Sequence, residues 1–232
     1  MDVQHEATYK RGQIEWALWG YFTSGKKLET ASKFRTRVKR LLELDRTTEF
    51  SEERGMHYAF MANKPMGKGT DYPYTAFDGF MLAIGLELLD SGYKQSEVVF
   101  LLRHVRARLF EEYEWILEAP DPVRQRVFAK QQTNRPTYTE NQVEFADFRV
   151  FAVVQKVELT EVLPTPANAR RRKGPVILEP FYCRGIDALR EVMHEMGHQD
   201  LFRKAMVLEL SRAAYAVSGL LPEAPSVKRG RV

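Results

Sequence analysis

The segment YTAFDGFMLAIGLELLDSGYKQSEVVFLLRHVRARLFEEYEWIL, Tyr74 to Leu117, holds the longest apolar run of the chain. Thr75 is placed to cap a helix, and Asp78, three residues on, to answer a free amide of its first turn. Phe77, Phe80, Met81, Ile84 and Leu88 recur at three- and four-residue spacing. Leu82, Ala83, Leu86 and Leu89 widen that stripe until only Glu87 and Asp90 are plainly wet, and such a helix is covered on most sides. The run breaks at Ser91-Gly92. It resumes as a second helix, with Ser96 as its expected cap and Val98, Val99, Leu101, Leu102, Val105 and Leu109 facing inward. From Arg103 this helix turns from apolar to charged. Two helices joined by a short Gly-containing turn cannot bury so much alone. The rest of the chain has to supply the cover.

With 232 residues the chain is long enough for one large domain or two small ones. Its apolar content of 44% is ordinary for a soluble fold, and no run has the length and purity of a membrane span. The start, MDVQHEATYK, has no apolar segment of the signal-peptide kind behind it. The single cysteine, Cys183, excludes an intramolecular disulfide framework and fits a reducing compartment. These features point to a cytoplasmic protein. A net charge of +4 and a pI near 9.1 lean mildly toward polyanions.

Upstream of the hairpin, GQIEWALWGYF (12–22) reads as a short helix with Ile14, Ala17, Leu18 and Tyr21 on one side and Trp16 and Trp19 off it. Thr23-Ser24-Gly25 ends it. ASKFRTRVKRLLEL (31–44) reads as a second helix, with Phe34, Val38, Leu41 and Leu42 inward and Lys33, Arg35, Arg37, Lys39 and Arg40 elsewhere. Lys33, Arg37 and Arg40 follow helical steps on one exposed side. A helix anchored by one stripe and basic elsewhere can enter a major groove or lie along phosphates. The alternative is a solvated face paired with Glu29, Glu43 and Asp45. HYAFMA (57–62) and TDYPY (70–74) read as two short strands around a Gly- and Pro-rich loop carrying Lys64 and Lys68. Together they form a small hairpin, or wing, able to touch backbone phosphates.

The words TASKFRTRVKRLLE, GKGTDYPYTAFD and LELLDSGYKQSEVVFLLRHVR, in this order, resemble the winged-helix DNA-binding domain of MerR-type regulators. The resemblance covers roughly residues 10–110, with LLDSGYKQSEVVFLL its most specific part. Residues 23–30 are longer and more charged than the compact turn of that family. The resemblance implies a helix-turn-helix, a wing and a helix–Gly–helix platform. It places Arg35, Arg37 and Lys39 or Arg40 at DNA and Lys64, Lys68 and Tyr72 in the wing. In that family a long helix after the domain pairs two subunits. Here Leu109, Tyr113 and Ile116 suit a short version, which Pro120 and Pro122 cut off.

Ala119-Pro120-Asp121-Pro122 is the expected domain boundary. Beyond it, 148–162 reads as strand material and PVILEPFYCR (175–184) as another strand, joined by a loop containing Arg170-Arg171-Arg172-Lys173. That basic run can sit on a phosphate backbone or serve as a solvated loop. Residues 186–221 read as one long helix interrupted near Gly197, with Leu189, Val192, Met193 and Met196 as its first core stripe. KRGR (228–231) adds charge to a tail.

His194-Glu195-Met196-Gly197-His198 matches HExxH and as a string resembles the zinc metallopeptidases. No histidine follows His198. Glu209, the obvious further ligand, lies eleven residues on, about 16 Å along a continuous helix. Asp200 does not share the face of His198. Two histidines that bind no metal are therefore the favoured reading, and Cys183 is read as structural.

The expected fold is α+β: a winged helix-turn-helix domain with a helix–Gly–helix platform (10–118), then a small mixed domain (123–222) for dimerisation, partner or effector binding, then a disordered basic tail (223–232). The expected function is sequence-preferring binding of double-stranded DNA by a nucleoid-associated transcriptional regulator. It is expected to act as a homodimer, without catalysis, cofactor, metal or membrane. The expected contacts are Lys33, Arg35, Arg37, Lys39, Arg40, Lys64, Lys68, Tyr72, Arg170, Arg171 and Arg172. The alternatives are a zinc-dependent hydrolase built on 194–198 and a non-catalytic protein-interaction module whose basic helix meets an acidic protein surface or other protein partner.

Overall fold

The computed structural model describes residues 7–23, 29–48, 58–62, 72–118, 147, 149–157, 176–177, 179–197 and 205–225. The chain is an α+β fold and divides into two units, Met1–Glu111 with Ala213–Val232, and Glu112–Arg212. The boundary expected at Ala119–Pro122 lies outside the described residues.

The first unit is helical and is built on α3 (Ala76–Asp90). The Thr75 hydroxyl accepts the Asp78 amide at 3.1 Å and the Asp78 carboxylate accepts the Thr75 amide at 3.0 Å, the reciprocal cap that the spacing predicts. Ten of its side chains or backbone positions from Phe77 to Leu86 are buried without a break, so α3 is the centre of its unit. It ends at Ser91, and Gly92 takes φ +88°, the left-handed turn that lets the chain reverse. α4 (Gln95–Glu118) follows. Its first turn is satisfied by Glu97, whose carboxylate accepts the Lys94 amide at 2.9 Å. Ser96 therefore lies inside the helix instead of capping it.

The cover for α3 comes from both ends of the chain. α1 (Arg11–Phe22) places Ile14, Ala17 and Leu18 in the core. α2 (Ser32–Thr47) adds Phe34, Val38, Leu41 and Leu42. It runs longer than expected because the Thr47 and Thr48 hydroxyls donate to the carbonyls of Glu43 and Leu44, closing the last turn. The third contribution is the segment after Arg212. Gly79 of α3 lies so close to it that an added Cβ would meet Val217 at 3.0 Å and Leu221 at 3.7 Å. Residues 223–225, expected in a disordered tail, are ordered here. Ala224 is buried, its amide donates to Leu221 and its carbonyl accepts from Gln13 of α1.

The expected wing is not seen as a strand pair among the described residues. Residues 58–62 form bends, and Tyr74 makes its bridge with Tyr9. The reason is burial: Ala59, Phe60 and Met61 all point into the core, which the alternation of a half-exposed strand forbids. The tip, 63–71, lies outside the described residues.

The second unit is built on β1 (Val150–Val157), which pairs antiparallel with β3 (Phe181–Arg184) and with β4 (Ala205–Glu209). β2 (Val176–Ile177) joins farther along, completing a four-stranded sheet. The strand expected over 175–184 is thus two pieces. Pro180, just before β3, has no amide to give the ladder. α5 (Ile186–Gly197) covers the Phe151, Val153 and Cys183 face with Ile186, Leu189, Val192 and Met196. Met193, expected in that stripe, is exposed.

The long helix expected over 186–221 is also broken differently. Residues 205–209 are strand β4, and a helix resumes as α6 (Leu210–Leu220). AMVLE suits either conformation locally, and pairing with five consecutive residues of β1 settles it as a strand.

Candidate nucleic-acid interface

α2 has two faces of opposite character. Phe34 packs edge-on against Trp19 and Phe22 of α1, with ring centroids 5.1 and 5.9 Å apart. Trp19 is accordingly a half-buried packing residue. Away from this stripe, Lys33, Arg35, Lys39 and Arg40 are exposed and Arg37 is half-buried. Arg37 reaches Asp90 of α3 at 2.5 Å, and Lys39 pairs with Glu43 at 3.5 Å, so these two charges are partly answered on the surface.

The beginning of α2 runs against ordinary helix preferences. Its N-cap is Ala31, which supplies no side-chain bond, and its first turn contains no acid. Lys33 and Arg35 stand there instead, where the helix dipole disfavours cations. The positive end of the dipole and two cations together make this end of α2 attractive to an anion. Behind it, Glu15 is buried on α1. Burial holds its carboxyl above the usual range, against the pull of Arg11 and Arg35.

The remaining expected contacts fall differently. Tyr72 is half-buried; its hydroxyl accepts the Ala62 amide at 2.7 Å and its ring packs on Tyr74 at 4.8 Å. Lys64, Lys68, Arg170, Arg171 and Arg172 lie outside the described residues. Leu109, Tyr113 and Ile116, expected at a dimer contact, are buried within the single chain.

Two arginines of α4 have roles that a charged helix end does not announce. Arg103 is buried and donates through Nε to Asp45 Oδ1 at 2.7 Å, and through Nη2 to the carbonyls of Asp45 and Thr48. The second oxygen of Asp45 accepts the Phe60 amide at 3.0 Å. One turn on, Arg106 donates to Asp78 Oδ1 at 2.6 Å and to the Ala59 carbonyl at 2.8 Å. Burial raises the pKa of Asp78, opposed by Arg106 and the Thr75 bonds. The only hint in the sequence is spacing: Arg103 and Arg106 lie three apart among Leu102, Val105 and Leu109, on the side that faces inward.

In the second unit, His194 and Glu195 are exposed on the last turn of α5, and His198 lies outside the described residues. Glu209 stands on β4 rather than on the same helix. No group of three His, Cys, Asp or Glu side chains able to hold a metal occurs among the described residues. Cys183 is buried against Phe151, and burial alone pushes its thiol pKa up. No described helix is long and apolar enough to cross a membrane.

No protein-family model matches this chain, and no curated protein matches it.

Proposed function

We propose that this protein binds double-stranded DNA through the outer face of α2 and acts as a transcriptional regulator. The observation that carries this reading is the division of α2: Phe34, Val38, Leu41 and Leu42 are buried while Lys33, Arg35, Lys39 and Arg40 are exposed. A rigid anchored helix with a cationic outer face can follow a groove, neutralise phosphates and aim a few side chains at base edges. In this reading α1 and α2 form the helix-turn-helix and α3 with α4 the platform. Lys64 and Lys68 belong to a wing, and Arg170, Arg171 and Arg172 add a backbone contact. The working form is a homodimer associated with the nucleoid, and no catalytic step is involved.

The test is duplex binding by the full-length protein before and after Lys33→Ala/Arg35→Ala/Arg40→Ala. These exposed changes leave the core intact, so the melting temperature stays within a few degrees, roughly the range expected of surface substitutions. Affinity for duplex falls at least tenfold, as expected when about three phosphate contacts are lost. Unchanged duplex affinity overturns the assignment of α2. Binding to acidic proteins but to no duplex replaces it with a protein-interaction role.

A further inference from the structure

Four partners of Arg103 and Arg106 lie in three separate parts of the chain. Arg103 holds the last turn of α2 at Asp45 and the residue that caps it, Thr48. Arg106 holds the first turn of α3 at Asp78 and the bend at Ala59. The intervening bend is held from the other side as well: the Phe60 amide bonds Asp45, and the Phe60 ring occupies the space that Gly85 of α3 leaves open, where a Cβ would come within 3.0 Å of it. The end of α2, the start of α3 and the 58–60 bend therefore hang on two adjacent guanidinium groups of one helix.

Energy alone does not account for this arrangement. Buried ion pairs lose on desolvation most of what they gain by attraction, and apolar replacements of the same shape are often as stable. An apolar contact also tolerates sliding, whereas a planar guanidinium bonded to a carboxylate and two carbonyls does not. An acid in the last turn of a helix is moreover disfavoured by the dipole, yet Asp45 stands there with Arg103 against it.

We propose that Arg103 and Arg106 are positioning residues: they set the axial and angular placement of α2 relative to α3 and so the sequence preference of DNA binding, more than they hold the unit folded. This rests on α2 being the DNA-contacting helix. A displacement of α4 would then shift α2, since Arg103 ties the two directly.

Arg103→Lys and Arg106→Lys keep the charge but lose the fork geometry. The exposed Arg108→Ala on the same helix, whose guanidinium pairs with Glu111 three residues on, is the control. Three quantities are measured on the full-length protein: affinity for a selected duplex, affinity for an unrelated duplex, and amide exchange. Arg103→Lys is expected to weaken the selected duplex about tenfold, the scale of a lost charged hydrogen bond. The unrelated duplex changes less than about twofold, because phosphate neutralisation is untouched. Amide exchange rises at 44–48 and 58–62 and stays constant in α1. Arg106→Lys raises exchange at 58–62 and at the start of α3, and Arg108→Ala changes none of the three. Equal loss on both duplexes, or unchanged exchange at 44–48 in Arg103→Lys, overturns the proposal. If the unaltered protein binds neither duplex, the DNA reading fails, and the exchange pattern by itself still decides whether Arg103 fixes the end of α2.

Discussion

Asp78 serves two helices at once: its Oδ2 accepts the Thr75 amide at 3.0 Å, closing the start of α3, while its Oδ1 meets the Arg106 guanidinium of α4 at 2.6 Å. Substituting the two residues of this cap has unequal consequences. Thr75→Ala loses one cap bond and costs about 1 kcal/mol. Asp78→Ala strands a buried guanidinium and costs about 3–5 kcal/mol. Urea unfolding of the two variants measures the difference, and equal costs would show that Arg106 finds water when Asp78 is gone.

Gly92 and Gly219 are predicted to respond in opposite directions to alanine. Gly92 holds φ +88° with open space around it, so Gly92→Ala strains the backbone and destabilises by about 1 kcal/mol. Gly219 lies in α6, also with open space, and has no such φ, so Gly219→Ala stabilises by roughly 0.5–1 kcal/mol. Denaturant midpoints for the two variants give the signs.

Asp147 gives the second unit a dependence on acid. Its carboxylate accepts from the Arg149 side chain and amide and from the Ile186 amide at the start of α5, which together hold its pKa below the usual carboxylate value. A depressed folded pKa means that the stabilisation is present above the unfolded value and is lost as pH falls through the folded one. Asp147→Asn therefore lowers stability at neutral pH and flattens the acid limb of the pH–stability curve, below the ordinary aspartate range. A curve unchanged in shape would remove Asp147 from the account.

Cys183 should resist modification. Its sulfur is buried in the Phe151–Val153–Met196 cluster and its thiol pKa is raised by burial, so little thiolate exists at neutral pH. Alkylation by iodoacetamide is expected to be slower by at least about tenfold in the native protein than in urea. Native labelling as fast as in urea would contradict the placement of β3 under α5.

Much of the first unit is legible because its signals are local. The Thr75–Asp78 cap, the Gly92 corner and the three- and four-residue spacing of α2 and α3 all act within a few residues of sequence. The return of Ala213–Ala224 to α1 and α3 is not legible, since a stripe such as Ala213, Ala214 and Val217 says that it is buried but not by what. AMVLE at 205–209 misleads for the same reason: its conformation is set by β1, some fifty residues earlier. The break before β3 leaves a trace in sequence, Pro180 inside a strand pattern. For the candidate interface, the exposure of Lys33, Arg35, Lys39 and Arg40 follows from periodicity. The capture of Arg37 by Asp90 does not, because it depends on how α2 crosses α3.

The salt dependence of duplex binding, measured by fluorescence anisotropy from about 50 to 200 mM monovalent salt, the range in which counterion release dominates, decides whether α2 lies on DNA. If Lys33, Arg35, Lys39 and Arg40 lie on phosphates, log affinity falls linearly with log salt, and these four contacts alone contribute a slope of roughly −3 to −4 per chain. The Lys33→Ala/Arg35→Ala/Arg40→Ala variant should lose most of that slope. A slope near zero, or one that the triple substitution leaves unchanged, contradicts the assignment of α2 to DNA.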